Sequence, residues 1–196
     1  MKKWFALMTA ILCLVAFASA ESVPSKSTAD MTIVEIQSET LPEDSEFFVL
    51  PVTGEDIEAY AEHLAFCQAE IENLMAAETV EAHFADVTDV EGNPVSLTEY
   101  LETETLNVYE FMPIVIGNYD AAYGSVTLTF QFTTPYEVDQ KVLVLIGMMD
   151  EESETMKWIA LEGVGVGTDG AIQVEFPPEV LETIPNNLAL MAIVSQ

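Results

Sequence analysis

Gly124-Ser-Val-Thr-Leu-Thr-Phe-Gln-Phe132 alternates without a break between apolar and polar side chains. Val126, Leu128, Phe130 and Phe132 fall on one side, and Ser125, Thr127, Thr129 and Gln131 on the other. Successive side chains of a strand point to opposite faces, so this run predicts a strand with one face on a core and one in water. Lys141-Val-Leu-Val-Leu-Ile-Gly-Met-Met149 is apolar on both faces and predicts a central strand covered on both sides. Ala171–Phe176 alternates again, and Leu188–Val194 is a last buried strand. Antiparallel sheets with one core face commonly pair face to face. The reading is therefore an α+β chain: a C-terminal antiparallel β-sandwich over 105–196, with a small strand and helix region over 31–104 at its N-terminal side.

Residues 1–20 stand apart from that fold. Lys2 and Lys3 precede the apolar run Trp4–Phe17, and Ala18-Ser19-Ala20 supplies the small-x-small pattern cut by signal peptidase. The run is short of the ~20 residues a spanning helix needs. The expectation is export by a cleaved signal, an extracellular location, and no membrane insertion after cleavage. Residues 21–30 are small and polar and read as a disordered leader. Short strands are expected at Met31–Ile36 and Glu46–Val52. Thr53 is placed as the cap of a helix whose stripe is Ile57, Tyr60, Ala61, Leu64, Gln68, Ile71, Leu74 and Met75. Thr79–Val87 suits a second helix or a strand, with helix preferred. Ser96-Leu-Thr-Glu99 is a capping box that starts a third helix. Leu106–Ile116 returns to strand character, with Pro113 marking an edge or a bulge.

Charge removes whole classes of function. The chain holds 34 acidic residues against five lysines and no arginine, a formal net charge of −29. Two of those lysines lie in the signal segment, leaving Lys26, Lys141 and Lys157. Nucleic-acid binding depends on basic side chains neutralising phosphates, so nucleic acid is excluded as a partner. Phosphate chemistry lacks its usual cationic clamps. Gly165-Val-Gly-Thr-Asp-Gly170 has the letters of a dinucleotide loop but leads into a strand, and is read as a turn. Beyond the signal segment Cys67 is the one cysteine, so no disulfide forms within the mature chain.

His63, Cys67 and Glu70 share a helical face, but the set is too incomplete for zinc and lacks the orienting group of a nucleophilic pair. Asp86–Pro94 does not place carboxylates where a calcium loop requires them. Strand direction offers a better candidate. If Gly124–Phe132 and Lys141–Met149 run in opposite directions, the loops before the first and after the second meet at one end. Asn118, Asp120, Asp150, Glu151 and Glu152 are then candidate Ca²⁺ ligands, with Glu154 beside them. Tyr119 and Tyr123 are close enough to pair, while Tyr136 is a strand's length away; Trp158 is assigned to the core.

Five stretches carry a resemblance: Glu91-Gly-Asn-Pro-Val95, Tyr109-Glu-Phe-Met-Pro113, Lys141–Ile146, Lys157-Trp-Ile-Ala-Leu161 and Asp169–Pro177. Together with the signal peptide they are similar to small secreted proteins of gut-dwelling clostridia, mainly over residues 80–196. The resemblance implies an exported, immunoglobulin-like sandwich and brings no activity with it. With no catalytic motif in the chain, the expectation is a non-enzymatic extracellular module, Ca²⁺-assisted through the loops above, whose partner is a protein or glycan outside the cell. The alternatives are a carboxylate-based glycan hydrolase and a subunit that assembles by edge-strand pairing.

Overall fold

The computed structural model describes residues 31–42, 44–52, 60–132, 136–150, 155–167, 170–184 and 188–196, with Val34, Glu62 and His63 described by backbone alone. The expected signal peptide, the leader and the Thr53 cap lie outside these residues. The strands are β1 (Thr32–Gln37), β2 (Phe48–Pro51), β3 (Asn107–Gly117), β4 (Val126–Gln131), β5 (Lys141–Asp150), β6 (Thr155–Val166), β7 (Ala171–Phe176) and β8 (Leu188–Ser195). The helices are α1 (Ala61–Ala76), α2 (Val80–His83), α3 (Leu97–Leu101) and α4 (Pro178–Leu181), with one 3₁₀ turn at Ala121–Tyr123. No helix among the described residues is long and apolar enough to cross a membrane.

All eight strands join one antiparallel sheet in the order β1-β4-β7-β6-β5-β8-β3-β2. The expected antiparallel β architecture is present, but as a single sheet curled until its edge strands β1 and β2 approach each other, so that it is nearly closed. β1 and β2, assigned by sequence to a separate N-terminal region, are those two edges: β1 pairs with β4 and β2 with β3. The pairings make every strand antiparallel to the one before it in sequence. The loops after β1, β3, β5 and β7 therefore gather at one end of the sheet. The segment carrying α1, α2 and α3 leaves from the other end.

The curl explains the two kinds of strand seen in sequence. Val126, Leu128 and Phe130 of β4 and Ile172, Val174 and Phe176 of β7 point into the sheet's concave side, where they join Val142, Val144 and Ile146 of β5 and Met191 and Ile193 of β8. The interior is solid with side chains. On the convex side, Leu143 and Leu145 of β5, Trp158 and Ala160 of β6 and Leu190, Ala192 and Val194 of β8 meet a second core. The helical segment supplies its cover through Cys67, Leu74, Val80, Phe84, Leu97 and Leu101. Strands β5 and β8 read as apolar throughout because this helical layer covers their outer face.

Local chemistry places the helices. The Thr79 hydroxyl accepts from the Ala82 N–H to start α2, and the Ser96 hydroxyl accepts from Glu99 to start α3. Three details depart from the sequence reading. The buried stripe of α1 uses Cys67 where Gln68 was expected, and Met75 is 47% exposed. Pro113 is not at a bulge. It sits where β2 stops, its carbonyl accepting from Val52, and the bulge lies between Val108 and Glu110.

Candidate functional site

Among the places where the described residues gather polar side chains, two contrast most, and the first is committed to holding the molecule together. Glu70 of α1 points down beside Trp158 of β6, whose indole Nε1 donates to Glu70 Oε1 at 3.2 Å. Asn73 donates to Oε2 at 3.2 Å. His83 Nε2 stands 3.2 Å from Oε1, an ion-pair distance outside good hydrogen-bond alignment. The His83 imidazole, with Asn73 and Trp158, holds the Glu70 carboxyl below the usual carboxylate range against the opposing effect of burial. Burial, reinforced by the Glu70 charge, pushes the Cys67 thiol up to about 12, so it is not a thiolate nucleophile near neutrality. The sequence put Cys67 and Glu70 on one helical face but did not connect His83 to them. That contact closes only when α2 folds back over α1.

This cluster makes the helical layer sensitive to acid. A carboxylate with a lowered native pKa contributes stability that is fully present above its ordinary value of 4.5 and lost as pH falls through the native value. Glu70→Gln, which removes the charge at every pH, is expected to cost about 1–2 kcal/mol at neutral pH. The cost should shrink as pH falls below 4.5 and through the lowered native value. Calorimetric melting of both proteins across that range checks it; a gap that stays constant with pH contradicts it.

The second place is open. The convex face of β1, β4 and β7 is polar, in contrast to the sealed half beneath the helices. Its register aligns Gln37 with Thr127 and Thr127 with Glu175 across three strands, and the next row aligns Glu35, Thr129 and Gln173. Glu35, Gln37 and Glu175 are exposed, whereas Thr129, expected in water, is buried between its neighbours at 8% exposure. Above the first row lies an open groove of about 700 Å³, lined among others by Gln37, Ser38, Glu39, Tyr123, Thr127 and Glu175.

The wall of this groove is pinned from several sides. Ser38 Oγ and Thr40 Oγ1 each donate to the Tyr123 carbonyl at 2.6 Å. The Tyr119 hydroxyl donates to the Gly124 carbonyl at 2.8 Å, and the Tyr119 and Tyr123 rings meet edge to face at 6.1 Å. Gly124 has φ 61 and ψ −151, a conformation open to glycine because it lacks a Cβ.

Of the residues singled out for Ca²⁺, Asn118 and Asp120 lie in the segment that leads into this wall. Strand directions bring the ends of β3 and β5 to the same end of the sheet, as the loop argument required. Asn118, at φ 59, donates its side-chain amide to the Glu46 carbonyl. Asp120 caps the 3₁₀ turn by accepting from Ala122. Asp150 pairs with Lys157 at 2.5 Å. Glu151 and Glu152 lie outside the described residues. Among the described residues, no group of three His, Cys, Asp or Glu side chains is arranged to hold a metal ion. Asn118 and Asp120 thus act as fasteners of the groove wall, a role that spacing along the sequence does not reveal.

Comparison with protein-family models, with curated proteins and with solved structures returned no match.

Proposed function

We propose that this chain is an exported, non-enzymatic binding module that presents the polar convex face of its curled sheet to a partner outside the cell. One observation carries the reading: the convex face is divided into a half sealed by the helical layer and a polar half, on β1, β4 and β7, where Glu35, Gln37 and Glu175 are exposed beside a pinned groove. A preformed surface that need not be ordered on contact is what a binding module requires. Two groups with chemical potential elsewhere, Cys67 and Glu70, are otherwise engaged. Cys67 is buried with its thiol pushed up, and Glu70 is held by Trp158, Asn73 and His83. The reading uses the nearly closed sheet as a scaffold and needs nothing particular to an immunoglobulin-like sandwich. Export rests on the pattern of residues 1–20 and on the resemblance to secreted clostridial proteins.

The test has two parts. The protein recovered from the culture medium of its producing cell should begin at Glu21, read by N-terminal sequencing. Residues 21–196 should turn over no member of a glycan panel while still being retained on partner material from the medium or cell surface. Turnover that disappears with one carboxylate or with Cys67 would establish the hydrolase reading instead. A second reading, self-assembly by edge pairing, would have to use β1 and β2, the two edges that the nearly closed sheet brings towards each other. Light scattering that gives a monomer at every concentration removes it.

A further inference from the structure

We infer that the groove over Gln37, Thr127 and Glu175 is a binding site for a neutral, hydroxyl-rich polysaccharide chain. The inference rests on the binding-module reading and names the ligand class for that same face.

Three features of the groove select this ligand. The first is charge. Glu39 and Glu175 line the groove, and no lysine or arginine does. The two described lysines are engaged elsewhere, Lys141 with Glu102 and Lys157 with Asp150. Uronate, sulfate and phosphate groups would meet carboxylates with no counter-charge, so an acidic polymer is repelled. The second is the mixture of hydrogen-bonding groups. Gln37 offers a donor and an acceptor, Thr127 a hydroxyl, and Glu175 an acceptor. They stand in one row on neighbouring strands, spaced about 4.8 Å apart by the sheet itself. Such a ladder of alternating donors and acceptors suits the repeated hydroxyl groups of linked sugar rings. The third is Tyr123, the aromatic residue of the lining: its ring packs on the concave core and on Tyr119 but stays half-buried, and its exposed part can meet the apolar C–H face of a sugar ring. Its backbone is already fixed by Ser38 and Thr40, so binding orders little of the protein. The groove is open, on strands at the sheet's edge, so a polymer can lie along it without needing a free chain end.

Affinity electrophoresis of residues 21–196 through gels containing soluble glucan, mannan or xylan tests this, with polygalacturonate as the acidic control. Retardation by at least one neutral polymer is expected, and none by polygalacturonate. Gln37→Ala and Glu175→Ala change exposed side chains and should leave folding intact while weakening retention several-fold. Tyr123→Ala should weaken it by roughly tenfold. Unchanged melting of the first two variants keeps the result interpretable if Tyr123→Ala loosens the loop. Retention that survives the Gln37 and Glu175 variants would overturn the groove assignment while leaving the binding-module reading in place. Absence of retention by every neutral polymer overturns the ligand class; the module reading then stands or falls on its own capture test. Binding of a cationic peptide in place of the polysaccharides, abolished by added salt, also overturns it. New reducing ends in the gel polymer would instead sink the non-enzymatic reading.

Discussion

Trp158→Ala is expected to lower the free energy of unfolding by about 3–5 kcal/mol. In a chain of this size, that corresponds to a fall of roughly 10–15 °C in the melting midpoint. The residue is only 6% exposed and sits between the sheet and the helical layer. Its ring meets Phe84 of the α2 cap at 5.0 Å, nearly perpendicular, and Phe111 of β3 at 5.9 Å. Directly across the ladder is Gly147, where a Cβ would come within 2.7 Å of the indole. The glycine leaves the space into which the ring lies. Truncation therefore opens a cavity where α1, α2, β3, β5 and β6 meet, and it removes a donor from Glu70. Trp158→Phe keeps much of the apolar contact but loses that hydrogen bond, so it should cost clearly less. Urea unfolding of the three proteins gives the comparison. Equal losses for Ala and Phe would place the energy in the N–H bond to Glu70 and contradict the packing argument. Because the concave core shares no side chain with this cluster, the variant should keep its sheet while α1 becomes accessible to protease.

How much of this was legible in the chain depends on the range of the interaction. The alternation in Val126–Phe132 and the apolar run in Lys141–Met149 are local patterns, and they correctly placed β4 and β5 and the faces that each buries. The cap at Ser96 was legible for the same reason, since the hydroxyl and its N–H lie within three residues; the equally local Thr79 cap was not read, and Thr79–Val87 stayed open to helix or strand. Sheet closure was not legible. Whether one-sided strands stack as two sheets or curl as one depends on which edges pair, and β1 with β4 joins residues about a hundred positions apart. The double coverage of β5 was foreseen, but its source was not: the cover is the segment Ala61–Leu101, which the sequence reading left without a place on the sheet. The groove shows the same limit. Gln37, Thr127 and Glu175 are unremarkable polar residues of three different strands, and they become a row only through register. Asn118 and Asp120 were noticed for their oxygens, and the structure uses the Asn118 amide nitrogen and one Asp120 oxygen to hold a loop.

Gly165→Ala is the substitution expected to be most harmful relative to its size. It should cost about 3 kcal/mol, at the upper end of what overpacking usually brings. Near the end of β6 the turn at residues 137–140 is bound against Gly165 from both sides. Asp139 donates its N–H to the Gly165 carbonyl at 2.9 Å, and Gly165 donates to the Gln140 carbonyl at 2.8 Å. A Cβ at Gly165 would be driven onto the carbonyl oxygen of Glu137, which is backbone and cannot rotate away. The turn must move, and both hydrogen bonds weaken as it does. Tyr136 immediately before it is 4% exposed, packed against Phe132 at 6.0 Å and Tyr109 at 5.8 Å, so the shift propagates to the end of the concave core. Gly163→Ala, two residues earlier on the same face, is the matched control. There the new methyl would meet first the side-chain methyls of Val142 and Val144, at 2.8 and 3.3 Å, which can give way by small rotations. The control should cost about 1 kcal/mol. A Gly165 variant no less stable than the Gly163 variant in urea would mean that the turn at 137–140 yields freely, and that it does not close this end of the sheet.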